Sequence, residues 1–285
     1  MKRRVVHIVS ILAFCFVLFS CDSIPGKKTI PDVHFATTPH KVVKEMLKLA
    51  EVSRDDTVYD LGSGDGRIVI AAARDFGARG VGVELDKELI GESVKNAKEA
   101  GVTEKVKFLE EDFFTVDLHD ATVVTLYLLP DLNARLLPKF LKELKPASKI
   151  VSHMWEMGKW KPDMTLKAYG TTVHLWVVPA WVDGNWRITL NKQTESRGYK
   201  LAIKQDFQKI RATLSDEKRR YNVEDTNIEG NDIAMTVSDA VRGRVFIINM
   251  EAVVKGDRME GTAFVREGDT PFAEKYSMIG ERIAQ

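Results

Sequence analysis

The stretch from Thr57 to Arg74 limits the fold more tightly than any other part of the chain. Thr57-Val58-Tyr59-Asp60-Leu61 is a short apolar run that stops at Gly62-Ser63-Gly64-Asp65-Gly66-Arg67, and a longer segment rich in Ile, Val and Ala follows from Ile68 to Arg74. The first run predicts a buried strand and the second a helix packed on a sheet. Glycines between them let the backbone turn sharply and approach a ligand closely, where a side chain would collide. Dinucleotide-binding proteins place G-x-G-x-x-G here, which would demand glycine at position 67. Arg67 refuses it, and the pattern left is G-x-G-x-G behind an acid.

The same alternation continues downstream. Pro39 sits where a first helical turn tolerates it, and Val42, Val43, Met46, Leu47 and Ala50 fall on one face of a helix before the glycine turn. Gly80 to Glu84 reads as a second buried strand, Leu89 to Ala100 as an amphipathic helix closed by Gly101, and Val106 to Leu109, Thr122 to Leu128 and Lys149 to Ser152 as further strands. Leu132 to Leu144 is a helix before the last of these. Strands alternating with helices in this way predict an α/β, doubly wound, mostly parallel sheet. After Pro179 the pattern changes to short runs of alternating polarity between turn signals such as Asp183-Gly184, Glu229-Gly230-Asn231 and Lys255-Gly256-Asp257. That spacing predicts a small all-β antiparallel sandwich or barrel over residues 180–285, after an α/β domain over 35–179. A length of 285 residues accommodates both. The charge run Asp216 to Arg220 reads as a solvated loop.

Three acids stand at the expected strand ends. Asp60 precedes the glycines, Glu84 ends the second strand about 18 residues after Gly66, and Glu111-Asp112-Phe113 follows the third. Ligands bind at those carboxyl ends in open α/β sheets, where a carboxylate such as Glu84 can accept both hydroxyls of a ribose. The set resembles the motifs of the class I methyltransferases, a Rossmann-like fold. The resemblance implies S-adenosylmethionine as cofactor: Asp60 would orient the loop and the amino acid end of that molecule, Gly62, Gly64 and Gly66 would pass beneath it, and Asp65 would lie near its ammonium. Asp112 would take the adenine amine and Phe113 its ring.

A longer series is similar to bacterial relatives of the lysine methyltransferases that act on mitochondrial ATP synthase and on adenine nucleotide translocase. It comprises Thr38-Pro39, the glycine turn, Gly82-Val83-Glu84-Leu85, Leu126-Tyr127-Leu128-Leu129-Pro130 and Trp160-Lys161-Pro162-Asp163. The implied reaction is N-methylation of a lysine in a membrane protein. Many amine methyltransferases carry an Asn/Asp-Pro-Pro-aromatic motif where this chain has Tyr127-Leu128-Leu129-Pro130, without the amide or acid. Tyr127, with His153, Trp155 and Glu156 after the fifth strand, is a candidate for the acceptor pocket, although Tyr127 and Trp155 read equally as core or rim packing and His153 reads more readily as a satisfied buried histidine than as a base. No His/Asp/Glu spacing predicts a metal, and no Gly-x-Ser-x-Gly elbow predicts a hydrolase.

Met1-Lys2-Arg3-Arg4 and the apolar run Val5 to Phe19 read as a signal segment, and Leu18-Phe19-Ser20-Cys21 looks like a bacterial lipobox. Cys21 would then be lipidated, residues 21–34 would form a tether, and the protein would sit in the cell envelope on a membrane lipid anchor. An uncleaved inner-membrane signal-anchor is the alternative. Cys15 would leave with the signal, so no disulfide or Zn-thiolate site is expected in the mature chain. Loss of the first 20 residues leaves 39 basic against 41 acidic side chains, which predicts no nucleic-acid partner. Two further readings stay open: a small-molecule methyltransferase with the β domain as a lid, and an envelope lipoprotein whose lapsed nucleotide fold serves as a binding scaffold.

Overall fold

A computed structural model describes residues 37–241, 244–268 and 270–283. The signal segment, Cys21 and the tether lie outside these residues. Among the described residues, no helix is long and apolar enough to cross a membrane.

The first half is a seven-stranded sheet with helices on both faces. In chain order its elements are α1 (His40–Leu49), β1 (Thr57–Leu61), α2 (Arg67–Phe76), β2 (Arg79–Glu84), α3 (Lys87–Glu99), β3 (Val106–Glu110), β4 (Val123–Leu126), α4 (Pro130–Glu143), β5 (Lys149–His153), β6 (Met164–Ala168) and β7 (Thr171–Val177). The strand order is β3-β2-β1-β4-β5-β7-β6. The first five strands run parallel, and β7 runs antiparallel to both of its neighbours. Strand order reverses between β1 and β4, so the crevice at their carboxyl ends is the topological switch point.

Each helix starts for a local reason. Gly66 and Gly77 bracket α2 in left-handed conformation, and six consecutive residues, Ile68 to Ala73, are buried because the helix is covered on several sides. Asp86 caps α3, its carboxylate accepting from the N–H groups of Glu88 and Leu89. Pro130 opens α4, where its missing N–H has no partner to lose. Helices α1 and α2 cover one face of the sheet, and α4 with the segment 154–163 covers the other.

The sequence reading contains five strands and no hairpin beyond them. The sixth and seventh form a hairpin joined by Tyr169-Gly170, both at positive φ, the two-residue turn whose twist matches a strand pair. A five-residue edge strand that alternates only weakly carries little periodic signal. The connection from β5 to β6 holds no helix; Met157 and Trp160 fill that face, both fully buried.

The second half is a closed eight-stranded barrel, which decides between the sandwich and barrel expectations. Its strands are β8 (Gly184–Lys192), β9 (Glu195–Asp206), β10 (Lys209–Ser215), β11 (Arg220–Glu229), β12 (Asp232–Val241), β13 (Arg244–Lys255), β14 (Arg258–Glu267) and β15 (Glu274–Arg282). Each pairs with its neighbours in sequence, and β15 closes on β8. Trp186, Tyr276, Met235, Met250, Met259 and Met278 are among the side chains that fill the interior. The charge run 216–220 is the turn between β10 and β11, where Asp216 accepts from the N–H groups of Lys218 and Arg219.

The barrel docks through two of its turns. Phe207, at φ +56, stacks on Trp160 with ring centroids 5.4 Å apart and 10° between planes. Beside it Gln208 accepts from the Trp160 indole N–H at 2.6 Å and donates to Asp163 Oδ2 at 2.8 Å. Gly230 sits against Ala147 and accepts from the Ala180 N–H at 2.7 Å. Ala147 precedes β5, Asp163 precedes β6, and the Val177 carbonyl, which Gln208 Nε2 reaches at 3.4 Å, ends β7, so these contacts gather at the amino end of the parallel strands. The barrel is therefore held away from the carboxyl edge and does not form a lid over it.

Replacing Trp160 by Phe keeps the stack but strands the Gln208 carbonyl, and is expected to lower stability by about 1–3 kcal/mol. Chemical denaturation measures this, and an unmoved midpoint would show that the turn adds nothing to stability.

Candidate active site

The glycine turn lies at the carboxyl edge of β1, as the sequence predicts. Gly62, Gly64 and Gly66 all have positive φ, at 78°, 52° and 78°. The Gly62 and Ser63 N–H groups both bond the Val83 carbonyl, at 2.9 and 3.0 Å, which bends the loop over the end of β2. Helix α3 clips it from below: Ser93 Oγ donates to the Gly64 carbonyl at 2.8 Å and Asn96 Nδ2 to the Asp65 carbonyl at 3.0 Å. A Cβ at Gly66 would lie 2.7 Å from the Phe108 ring, and one at Gly82 would lie 2.6 Å from the same ring.

The acids around the turn differ in their surroundings. Asp60 is buried and accepts from Thr125 Oγ1 at 2.7 Å. Burial pushes its carboxyl up to about 7, opposed by the Thr125 bond and reinforced by Glu84 and Asp65 nearby. Glu84 accepts from the Gly64 N–H at 3.0 Å through one oxygen and from the Leu85 and Asp86 N–H groups at 2.8 and 3.1 Å through the other. Three of its roughly four acceptor positions are thus taken by backbone. Asp65 turns to Arg67, with contacts down to 2.6 Å; burial raises its pKa, the guanidinium more than reverses this, and the net result is lowered. Arg67 also donates to the Thr38 carbonyl at 3.1 Å, tying the loop to the segment before α1. Asp112 accepts from the Phe114 N–H at 2.9 Å in a turn where Phe113 and Phe114 pack with centroids 4.8 Å apart.

Of the acceptor-side candidates, Tyr127 and His153 meet, their rings 4.1 Å apart at 32°. His153 is buried, and both its nitrogens have hydroxyl partners: Thr38 Oγ1 at 3.2 Å and Thr171 Oγ1 at 3.0 Å. Burial lowers its pKa, so the ring is held neutral and enclosed, the satisfied histidine that the sequence allowed. Trp155 is half-buried, its carbonyl 3.3 Å from Asn133 Nδ2. Glu156 is exposed and paired with Lys161 at 2.8 Å, a bond that lowers its pKa.

Several contributors escape the motif reading. Ser63 Oγ is buried beneath the turn without a partner, as is Asn133 Oδ1 beside β5. Ser93 and Asn96 stand three apart on the sheet-facing side of an otherwise amphipathic helix, the one local signal that could have marked them. Thr38 entered only through the family resemblance, with no role assigned, and Thr125 and Thr171 gave no signal. The described residues also bring Asp117, His119 and Glu143 together. Lys139 Nζ holds both Glu143 oxygens at 2.7 and 2.9 Å, and the His119 ring bonds Asp117, so these side chains already have partners.

The ANTKMT methyltransferase domain matches residues 60–164, the span from Asp60 to the start of β6. A protein-lysine N-methyltransferase of Saccharolobus islandicus is 46% identical over 154 residues, covering 52% of this chain and 96% of that protein. The chain belongs to this methyltransferase family. An ATP synthase lysine N-methyltransferase of Xenopus laevis is 35% identical over 137 residues, which is 48% of this chain and 58% of that protein. A solved structure described as an RNA methyltransferase from Salinibacter ruber, in complex with S-adenosyl-L-homocysteine, is 52% identical. It covers 52% of this chain and 96% of that one, with a TM-score of 0.51. The methyltransferase therefore uses S-adenosylmethionine on a Rossmann-like sheet, with a barrel outside the matched domain. The orphaned Ser63 hydroxyl under a turn of left-handed glycines suits a ligand bound at this edge.

Asp60 links stability to pH. Folded chains hold its proton up to about pH 7, whereas unfolded chains release it near the ordinary value of 3.8. The native state binds more protons between those values, so this residue lowers stability as pH rises from about 4 to 7, with no further loss above. Asp60→Asn should therefore gain thermal stability over the unsubstituted protein between pH 5 and pH 8, read by melting curves. A gap that stays constant with pH would show that Asp60 is ionised throughout.

Proposed function

We propose that this methyltransferase transfers the methyl group of S-adenosylmethionine to the side-chain amine of a lysine in a membrane-associated protein. Residues 1–21 would hold it in the bacterial envelope, with Cys21 as the lipidated residue or the apolar run as a signal-anchor. In this reading Asp60 and Glu84 hold the amino acid and ribose ends of the cofactor, Gly62, Gly64 and Gly66 lie under it, and Asp112 and Phe113 take the adenine. Glu84 would keep its backbone bonds and offer its remaining acceptor position to one ribose hydroxyl. A cationic cofactor beside Asp60 would draw off its proton. Asp65, committed to Arg67, would act by shaping the loop.

One observation carries the choice of acceptor: the carboxyl edge is free of the barrel, acidic and apolar. Asp86, Glu88, Glu111 and Asp131 are exposed at the ends of the strands of this edge together with Glu110, which pairs with Lys87 at 3.3 Å, and Leu85, Leu129, Met154 and Tyr169 are exposed among them, with Lys41 lying over the Tyr169 ring. An acidic rim attracts an ammonium and repels phosphates, which favours lysine over the RNA named for the Salinibacter ruber protein. An edge that the barrel leaves uncovered among the described residues admits a folded protein. The names of the Saccharolobus and Xenopus relatives point the same way.

Chemically, the acceptor nitrogen bonds the methyl carbon in line as the sulfonium carbon–sulfur bond breaks, so alignment and exclusion of water supply most of the rate. A lysine must first lose a proton, its reference pKa being about 10.4. The poorly hydrated rings of Tyr127 and Trp155 favour the neutral amine, and water takes the proton.

Isotopic methyl supplied as S-adenosylmethionine to envelope extract should enter protein, survive ribonuclease and appear on lysine after hydrolysis; label lost to ribonuclease would reverse the choice of acceptor. Asp60→Ala and Glu84→Ala should each weaken cofactor binding by about 1.5–3 kcal/mol, the scale of a charged hydrogen bond. Calorimetry reads this, and unchanged affinity in both would place the cofactor elsewhere.

A further inference from the structure

Met154 follows β5 at the carboxyl edge with φ +71, and the Trp155 N–H bonds the His153 carbonyl across it at 2.9 Å. That pair of features is a γ-turn of the positive-φ kind, rare and strained for a residue with a side chain. Such a turn persists only where its surroundings over-determine it, and here they do. The Met154 N–H donates to the Thr172 carbonyl at 2.8 Å, and Thr172 Oγ1 donates to the Met154 carbonyl at 3.3 Å. His174 Nε2 lies 3.3 Å from the same carbonyl. A carbonyl only accepts, so Nε2 carries a proton, and Nδ1 meets Thr165 Oγ1 at 2.9 Å. On the far side, Asn133 Nδ2 holds the Trp155 carbonyl.

His174 is itself braced from the barrel. Its ring packs on Trp176 with centroids 5.9 Å apart, and the Trp176 indole donates to the Trp160 carbonyl at 2.9 Å. Trp160 in turn carries the stack of Phe207 and the bond to Gln208. An unbroken run of buried rings and hydrogen bonds thus joins the barrel's β9–β10 turn to the strained turn at the opposite edge of the sheet. His174 and both barrel residues lie beyond the domain matched at 60–164.

We propose that His174 is a positioning residue for methyl transfer, holding the Met154 γ-turn so that Met154 and Trp155 face the acceptor, with Gln208 and Phe207 of the barrel bracing it through Trp160 and Trp176. The proposal rests on the lysine-methylation reading for its substrate and on the turn's geometry for everything else. It gives the barrel a purpose that its distance from the carboxyl edge otherwise leaves open: it stiffens the acceptor side from behind.

The full-length protein is the test object, with poly-L-lysine as acceptor probe. In His174→Ala the Trp155 amide should exchange with deuterium about tenfold faster, the scale of one lost hydrogen bond. Turnover of poly-L-lysine should fall by about as much while S-adenosylmethionine affinity stays within about twofold, a split that generalised damage would not produce. His174→Gln, which keeps a donor, should recover most of both, and Gln208→Ala should show the same pattern more weakly. Met154→Gly adopts positive φ freely and guards against a variant that fails to fold; it should melt no lower than the unsubstituted protein and still methylate more slowly. Unchanged exchange at Trp155 in His174→Ala, or cofactor affinity falling in step with turnover, would overturn the proposal. If the unsubstituted protein leaves poly-L-lysine unmethylated, the lysine reading fails by itself, and the exchange measurement still decides whether His174 holds the turn.

Discussion

Phe108 packs into space that two glycines leave open, and the shape of the whole site follows from it. A Cβ at Gly66 or Gly82 would press into its ring. With both absent, β2 and β3 lie close under the turn, the Gly62 and Ser63 N–H groups reach the Val83 carbonyl, and Glu84 is brought within 3.0 Å of the Gly64 N–H. The candidate site is thus built by backbone and kept rigid by aromatic packing, which explains how so few side chains can define it. Interiors packed at crystal density transmit a single added carbon to everything around it.

Electrostatics complete what packing begins. Three carboxylates within one turn would repel one another if all were equally exposed, and the chain separates them by environment. Asp65 is neutralised by Arg67, Glu84 is spread over three backbone donors, and Asp60 is buried enough to keep a proton near neutrality. A carboxyl poised near neutral pH can meet a cationic ligand by giving up that proton, so the desolvation that raises its pKa becomes part of ligand binding.

The two halves divide the labour between opposite edges of one sheet. Acids, exposed apolar side chains and the strained Met154 turn gather at the carboxyl edge, while the barrel occupies the amino edge. That arrangement keeps the barrel off the carboxyl edge and still couples the two, because Trp160 and Trp176 run beneath the face between them.

Much of this was written locally. Helix and strand periodicity, the left-handed glycines, and the order of Asp60, Glu84 and Asp112 along the chain are properties of neighbouring residues, so the α/β class, the following β domain and the glycine turn at the end of β1 could be read without coordinates. The β6–β7 hairpin was too short and too weakly alternating to announce itself. Tertiary structure alone decided which side chains share a hydrogen bond across long separations: Arg67 with Thr38, His153 with Thr38 and Thr171, His174 with Met154, Trp160 with Gln208. It also decided which edge of the sheet the barrel takes. Those outcomes depend on how whole elements pack, and no local pattern of polarity or turn residues carries that information.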